Sequence, residues 1–97
     1  MKKHAYRTGK IKTKHHIIKE ALPFLNELVK LDCIKLIVPD VINNNSHGNN
    51  RMRISTATTN GFDLTFGGAG AQKYHLVCEP SNENREKIDD VIEAVSL

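Results

Sequence analysis

The chain has 97 residues, of which 39% are hydrophobic and none is Trp, and its formal net charge is +3. This length suits one domain with a single small two-layer core, and the apolar content excludes disorder throughout the chain. No apolar run is long enough to cross a membrane or to form a signal peptide. We therefore expect a cytoplasmic protein with no membrane partner.

The positive charge is concentrated at the start of the chain. The first 19 residues hold seven Lys and Arg and no Asp or Glu, so subtracting these seven from +3 leaves −4 for the remainder. Residues 1–12 are predicted as a basic arm or a short edge strand around Ile11, and residues 13–97 as one domain. A basic arm suits nucleic acid or a phosphorylated ligand, and a solvated lysine-rich tail is the equal alternative.

A helix is predicted to begin at Thr13, which can cap a helix N-terminus. Apolar residues recur at spacings of three and four from Ile17 to Leu31, a pattern typical of one buried helical face. Pro23 lies inside this run. Because proline lacks an N–H and clashes with the preceding turn, it predicts a kink near the middle of the helix, which ends at Asp32.

Strands follow the helix. The run CIKLIVP alternates between two faces, which carry Ile34, Leu36 and Val38 on one side and Lys35 and Ile37 on the other. An Asn-rich polar stretch at residues 42–50 then predicts a mobile loop. After a hairpin, KYHLVCE predicts a further strand that points Tyr74, Leu76 and Cys78 inward.

The hairpin lies around Asn60-Gly61, a dipeptide typical of tight turns. A two-residue loop there would place Met52 and Ile54 on the face opposite the apolar residues of the next strand. A three-residue loop at residues 59–61, with Gly61 left-handed and a bulge, removes this conflict. The predicted pairs are then Phe62 with Thr58, Leu64 with Thr56, and Phe66 with Ile54.

The chain closes with a predicted helix that Ser81 or Asn82 can cap, with Glu83 favourable in its first turn. Its apolar stripe consists of Ile88, Val91, Ile92 and Val95. The predicted fold class is α+β, with a three- to four-stranded antiparallel sheet and two helices packed on one face.

With this register, the outer face of the sheet carries a surplus of positive charge. Its polar side chains are Arg51, Arg53, Ser55, Asp63, Thr65, Lys73 and His75, with Lys35 as a further candidate. The register places Gly67 opposite Arg53 and Ala69 opposite Arg51. Ordinary solvation of an antiparallel sheet is the alternative explanation.

The run TFGGAGAQKYH adds three glycines beside these arginines. Glycine lets backbone N–H groups approach an anion closely. A strand rather than a helix follows, so the run departs from known phosphate-loop motifs, and a bulge or bend also explains it. The predicted ligand-binding residues are Arg51, Arg53, Gly67, Gly68, Gly70, Gln72, Lys73 and His75.

Five histidines and two cysteines raise the question of a zinc site. No HxxxH, HExxH or CxxC motif is present, and His16, His75 and Cys78 could share an ion only if the fold brings them together. Cys33 and Cys78 are otherwise interpreted as buried free thiols. No nucleophile motif or carboxylate pair indicates catalysis, so the sequence favours a protein that is not an enzyme.

The stretch TGKIKTKHHIIKEALPFLNELVKLDCIKLIVPDVI, followed by a basic strand and a Gly-rich turn ending in Gln72, resembles domain-of-unknown-function family 2103. That small prokaryotic family is described only as predicted metal-binding. The likeness spans about residues 8–79 and rests on Gly9, His15 or His16, the PFLNEL helix, Arg51, Arg53 and residues 70–72. The resemblance implies one compact α+β domain, favours His16 as a metal ligand, and implies no activity.

The sequence therefore predicts a non-enzymatic binding protein for an anionic partner, either a small phosphorylated nucleotide or a nucleic-acid backbone. The register buries every Phe and Tyr74 and leaves Tyr6 on the arm, which disfavours base stacking. One alternative is a metal-binding protein that uses His and Cys ligands. Another is a homo-oligomer, most simply a dimer, in which an exposed sheet edge pairs with a second copy.

Overall fold

The computed structural model describes residues 9–11, 17–40, 51–67 and 72–97. The strands are β1 (Leu36–Asp40), β2 (Met52–Thr58), β3 (Gly61–Phe66) and β4 (Gln72–Val77). They form one antiparallel sheet in the order β1-β4-β3-β2. A short helix, α1 (Leu22–Leu28), and a long helix, α2 (Asn82–Ser96), pack against the inner face of this sheet. The predicted α+β fold is confirmed.

The core fills the space between the inner sheet face and the helices. Because successive strand residues point to opposite faces, β3 and β4 bury alternate side chains, namely Phe62, Leu64, Phe66, Tyr74 and Leu76. Ile88 and Ile92 of α2 join them, and the Phe24 ring of α1 lies 5.8 Å from that of Phe66. Each such side chain stabilises the fold by about 1.5–3 kcal/mol when it leaves water, which holds both helices on this face.

The first helix begins one residue before Pro23 instead of being kinked by it. Ile18 is extended (φ −64°, ψ 126°), a 3-10 turn occupies Lys19–Ala21, and Pro23 lies in the first turn of α1. In that turn a missing N–H costs no hydrogen bond, and the fixed φ of proline suits the helix. The predicted kink is therefore wrong. The predicted apolar face is buried at Ile17, Ala21, Leu22, Phe24, Leu25, Leu28 and Val29.

Residues 9–11 tie the start of the chain to the domain. Ile11 is buried and forms a parallel bridge with Ile37, whose N–H donates to the Lys10 carbonyl at 2.6 Å. Lys10 Nζ donates to the carbonyl oxygens of Val29 at 2.7 Å and Leu31 at 3.3 Å. The ammonium group thus supplies a charged donor to the Val29 carbonyl directly after α1, and a second donor to the Leu31 carbonyl, which also accepts from the Ile34 N–H at 3.1 Å. One lysine of the predicted basic arm thus has a structural role.

The β2–β3 hairpin has a different register from the predicted one but the same buried face. Thr58 pairs with Gly61, so the loop has two residues, and the bulge lies at Ser55 within β2 instead of at the turn. The predicted pairs are wrong for this reason. The observed pairs are Met52 with Phe66, Ile54 with Leu64, and Ala57 with Phe62, which keeps Met52 and Ile54 on the core side as expected.

Gly61 is required by a close backbone approach. A Cβ at this position would lie 1.8 Å from the Leu76 carbonyl oxygen and 3.1 Å from the Cys78 nitrogen. The sequence assigns this glycine to a left-handed turn position, whereas in the structure it is the first paired residue of β3. Its lack of a side chain lets β3 and β4 meet directly after the turn.

The side of β1 that faces the core is the one that alternation assigns to Ile37, not the one that carries Leu36 and Val38. Ile37 and Pro39 are buried, since they pair with the inward-facing Leu76 and Tyr74 of β4. Leu36 and Val38 consequently lie on the outer face, and Lys35, one residue before Leu36, does not join it. This corrects the expectation for Lys35.

α2 begins as the sequence predicts. The Ser81 side chain accepts a hydrogen bond from the Asn84 N–H at 3.1 Å, the usual geometry of a helix cap. Among the described residues, no helix combines the length and the apolar character that crossing a membrane requires. The predicted cap at Thr13 and the predicted loop at residues 42–50 lie outside the described residues.

Candidate functional site on the outer face of the sheet

A row of polar side chains crosses the outer face near one end of the sheet. Arg53 of β2 pairs with Thr65 of β3, which pairs with Lys73 of β4. Neighbouring strands are about 4.8 Å apart, so the two cations start about 10 Å from each other with the Thr65 hydroxyl between them. Their side chains are long enough to meet above that hydroxyl. We call Arg53, Thr65 and Lys73 the basic row.

The two cations of the basic row have no carboxylate within 4.0 Å among the described residues. Arg53 Nη1 is held in place by a long hydrogen bond of 3.4 Å to the Gly67 carbonyl. Asp40 extends the row on the far side of Lys73 and is exposed. Sequence reasoning did not include Asp40, because only the pairing of β1 with β4 brings it there. The row retains a net positive charge.

A second row lies two residues further along the strands. Asp63 Oδ1 is hydrogen bonded to His75 Nδ1, and the two side chains are 16% and 29% exposed. His75 Nε2 lies 3.2 Å from Asn60 Oδ1, which also accepts from the Thr58 hydroxyl at 3.2 Å. We call Asp63 and His75, with the flanking Val38 and Thr56 of the same register, the middle row. The sequence indicated both residues but not their contact, which depends on the β3–β4 register.

A third row at the far end of the sheet is apolar. Leu36 of β1 pairs with Val77 of β4, and both side chains are half-buried although neither of the described helices packs on this face. Val77 in turn pairs with Gly61, which adds no side chain. We call Leu36 and Val77 the apolar row. Alternation alone could not reveal it, since both faces of β1 are apolar.

Gly67 lies beside both arginines, though not in the predicted order. Its N–H donates to the Arg51 carbonyl at 2.9 Å, so it is opposite Arg51 rather than Arg53. The two-residue difference follows from the hairpin register. Arg51 also lines a groove of about 810 Å³ whose other walls come from Pro23, Phe24, Met52 and the end of α2. Arg51 therefore lies where the sheet meets this groove.

Gln72 belongs to the inner face. It is 2% exposed, its Oε1 accepts from the Ile18 N–H at 3.2 Å, and the Tyr74 hydroxyl donates to the same oxygen. These bonds hold the segment before α1 against β4. The Gln72 side chain thus lies on the opposite side of the sheet from Lys73. The role of Gln72 in ligand binding stays a prediction. Gly68 and Gly70 lie outside the described residues.

The two described members of the predicted metal site, His75 and Cys78, are not brought together. His75 faces outward, whereas Cys78 faces inward and is 4% exposed. Burial, assisted by nearby Cys33 and Glu79, raises the pKa of the Cys78 thiol above its ordinary 9.0, which disfavours the thiolate that a metal needs. In the described part of the chain no three His, Cys, Asp or Glu side chains are placed to hold an ion. His16 lies outside the described residues.

β2 is the open edge of the described sheet, whereas β1 is bridged by Ile11. The bulge at Ser55 interrupts the regular hydrogen-bonding edge that a second copy would need. The predicted homo-oligomer stays a prediction.

No family model, no curated protein and no solved structure matches this chain. The resemblance to domain-of-unknown-function family 2103 likewise stays a prediction.

Proposed function

We propose that this protein is a non-enzymatic binding protein that holds a phosphate-bearing anion on the outer face of its sheet. The observation that supports this proposal is the basic row, in which Arg53 and Lys73 flank a hydroxyl and lack a carboxylate partner in the described chain. Guanidinium and ammonium groups form charge-assisted hydrogen bonds with phosphate oxygens, and a threonine hydroxyl can donate a third bond.

The burial of the aromatic residues favours contact with phosphate over stacking on bases. Phe62, Phe66 and Tyr74 all face the core, so the described outer face offers no aromatic platform. A small phosphorylated nucleotide and the backbone of a nucleic acid both fit this chemistry. The lysines and arginine near the N-terminus would add long-range attraction for either partner.

The test is a comparison of two double variants by isothermal titration calorimetry. Arg53→Ala with Lys73→Ala removes the basic row. Arg85→Ala with Lys87→Ala removes one Arg and one Lys from exposed positions on α2, so it matches the change in net charge. Pyrophosphate and a ten-nucleotide single strand serve as probes.

We expect the first variant to lose at least roughly tenfold in affinity for whichever probe binds, because each hydrogen bond from a charged group contributes about 1.5–3 kcal/mol. The α2 variant should lose roughly threefold or less, through long-range attraction alone. Equal losses in the two variants, or no binding of either probe to the wild-type protein, would contradict the proposal. Circular dichroism checks that both variants are folded.

A further inference from the structure

The three rows of the outer face differ in chemistry in a fixed order. Moving along β4 from its end to its start, the side chains are Val77 in the apolar row, His75 in the middle row and Lys73 in the basic row. Strand residues advance by about 3.4 Å, so successive rows are about 7 Å apart and the outer two about 14 Å apart. A ligand lying along the strand would meet apolar, polar and cationic groups in turn.

From this order we infer that the ligand is a ribonucleoside phosphate lying along β4, with its base on the apolar row, its ribose on the middle row and its phosphates on the basic row. This inference rests on the proposed function and adds the ligand class and its direction. The span of about 14 Å suits one extended nucleoside polyphosphate, whose three parts have the same order of polarity.

The middle row distinguishes a nucleotide from a phosphorylated lipid. An aliphatic chain lying along β4 from the basic row to Val77 would cover His75 of the Asp63–His75 pair and remove it from water, a cost that the one apolar side chain of the middle row, Val38, offsets only in part. A ribose presents hydroxyl groups there. Asp63 uses Oδ1 for His75, and its Oδ2 has no hydrogen bond within the described residues, so Oδ2 can accept from a ribose hydroxyl.

The three rows occur once on the described face, which favours a mononucleotide over a nucleic-acid strand. The described face offers one apolar row and one basic row, whereas an extended strand would need sites for several bases and phosphates in succession. A mononucleotide occupies each row once.

The experiment titrates wild-type protein and Asp63→Asn with tripolyphosphate, ATP and 2′,3′-dideoxy-ATP, in buffer containing EDTA. Asparagine keeps the size of the side chain and an oxygen for His75, and it removes the charged acceptor. For the wild-type protein we expect ATP to bind at least roughly tenfold more tightly than tripolyphosphate, although ATP carries less charge. Dideoxy-ATP should lose roughly fivefold or more relative to ATP, since it lacks the ribose hydroxyls.

In Asp63→Asn the affinities for ATP and dideoxy-ATP should become equal within about twofold, while tripolyphosphate binds as well as before or better, because a nearby negative charge has been removed. A protein that binds ATP and tripolyphosphate equally, both through Arg53 and Lys73, would overturn the inference and leave the proposed function standing. Equal binding of ATP and dideoxy-ATP to the wild type would also overturn it. Binding of none of the three would overturn both.

Discussion

Gly61 allows a sharp test of how the β3–β4 contact is built. An alanine Cβ at this position would lie 1.8 Å from the Leu76 carbonyl oxygen, whereas ordinary contacts of a Cβ are 3.4 Å or longer. The Leu76 carbonyl is backbone and cannot rotate away. The start of β3 would have to move by about 1.6 Å, which breaks the 2.9 Å hydrogen bond from the Cys78 N–H to the Asn60 carbonyl.

The cost of Gly61→Ala follows from these contacts. One or two backbone hydrogen bonds are lost at a buried position, each leaving unsatisfied groups that cost about 1–3 kcal/mol, so we expect the free energy of unfolding to fall by about 3–5 kcal/mol. A domain of this size is stable by about 5–15 kcal/mol. Urea unfolding followed by circular dichroism should therefore show a midpoint at least about 2 M lower, or no folded protein at all.

Gly9→Ala is the matched control. Gly9 has a φ of +73°, and no atom lies within 4 Å of a Cβ built on it. Alanine there incurs only the cost of a left-handed backbone, about 1–2 kcal/mol. If both substitutions shifted the midpoint equally, a close approach of β3 to β4 would not be the reason for glycine at position 61.

Two further predictions concern Lys10 and the buried cysteine. Lys10→Met should lower the free energy of unfolding by about 1–2 kcal/mol, because the end of α1 loses its charged donor. The control Lys30→Met, at a side chain that is 68% exposed, should change it by about 0.5 kcal/mol or less. Equal urea midpoints for the two variants would contradict this prediction. For Cys78 the raised pKa means that the unfolded chain ionises before the native one. The free energy of unfolding should therefore decline as the pH rises through about 9, and the decline should be weaker in Cys78→Ser. The measurement is urea unfolding of both proteins from pH 7 to 10. If the free energy of unfolding fell with the same slope in both, burial of this thiol would have no such effect.

The sequence predicts the buried residues better than it predicts the geometry that buries them. Apolar spacing identified the inner side of α1, although α1 begins at Leu22 rather than next to the predicted cap Thr13. The same logic placed Met52 and Ile54 with Phe66 while giving them the wrong partners. Hydrophobic patterning specifies which side of a strand is buried, because successive side chains alternate between the two faces. The pairing partner depends instead on the position of the bulge, which shifts the register by one residue.

The candidate site shows the same division. Arg53, Lys73 and His75 were indicated by charge and alternation, because polar side chains in a half-covered sheet face water. Gln72 was predicted to contact the ligand as the end of the Gly-rich run, and the sequence did not indicate that its side chain would bond Tyr74 and the Ile18 N–H on the inner face. Asp40 and the apolar row were missed, since the position of β1 in the sheet is a long-range choice.

Composition and periodicity alone therefore determined the α+β fold and the sheet face that the helices cover, because both properties follow from local patterns of apolar residues. Only the tertiary structure decided that β1 lies beside β4 and that the hairpin bulge falls at Ser55. The bulge aligns Arg53 with Thr65, and the β3–β4 register adds Lys73 to that row and sets Asp63 against His75. The place of β1 adds Asp40 and Leu36 to the same face. Side chains distant in sequence become one surface only when strand order and register are fixed.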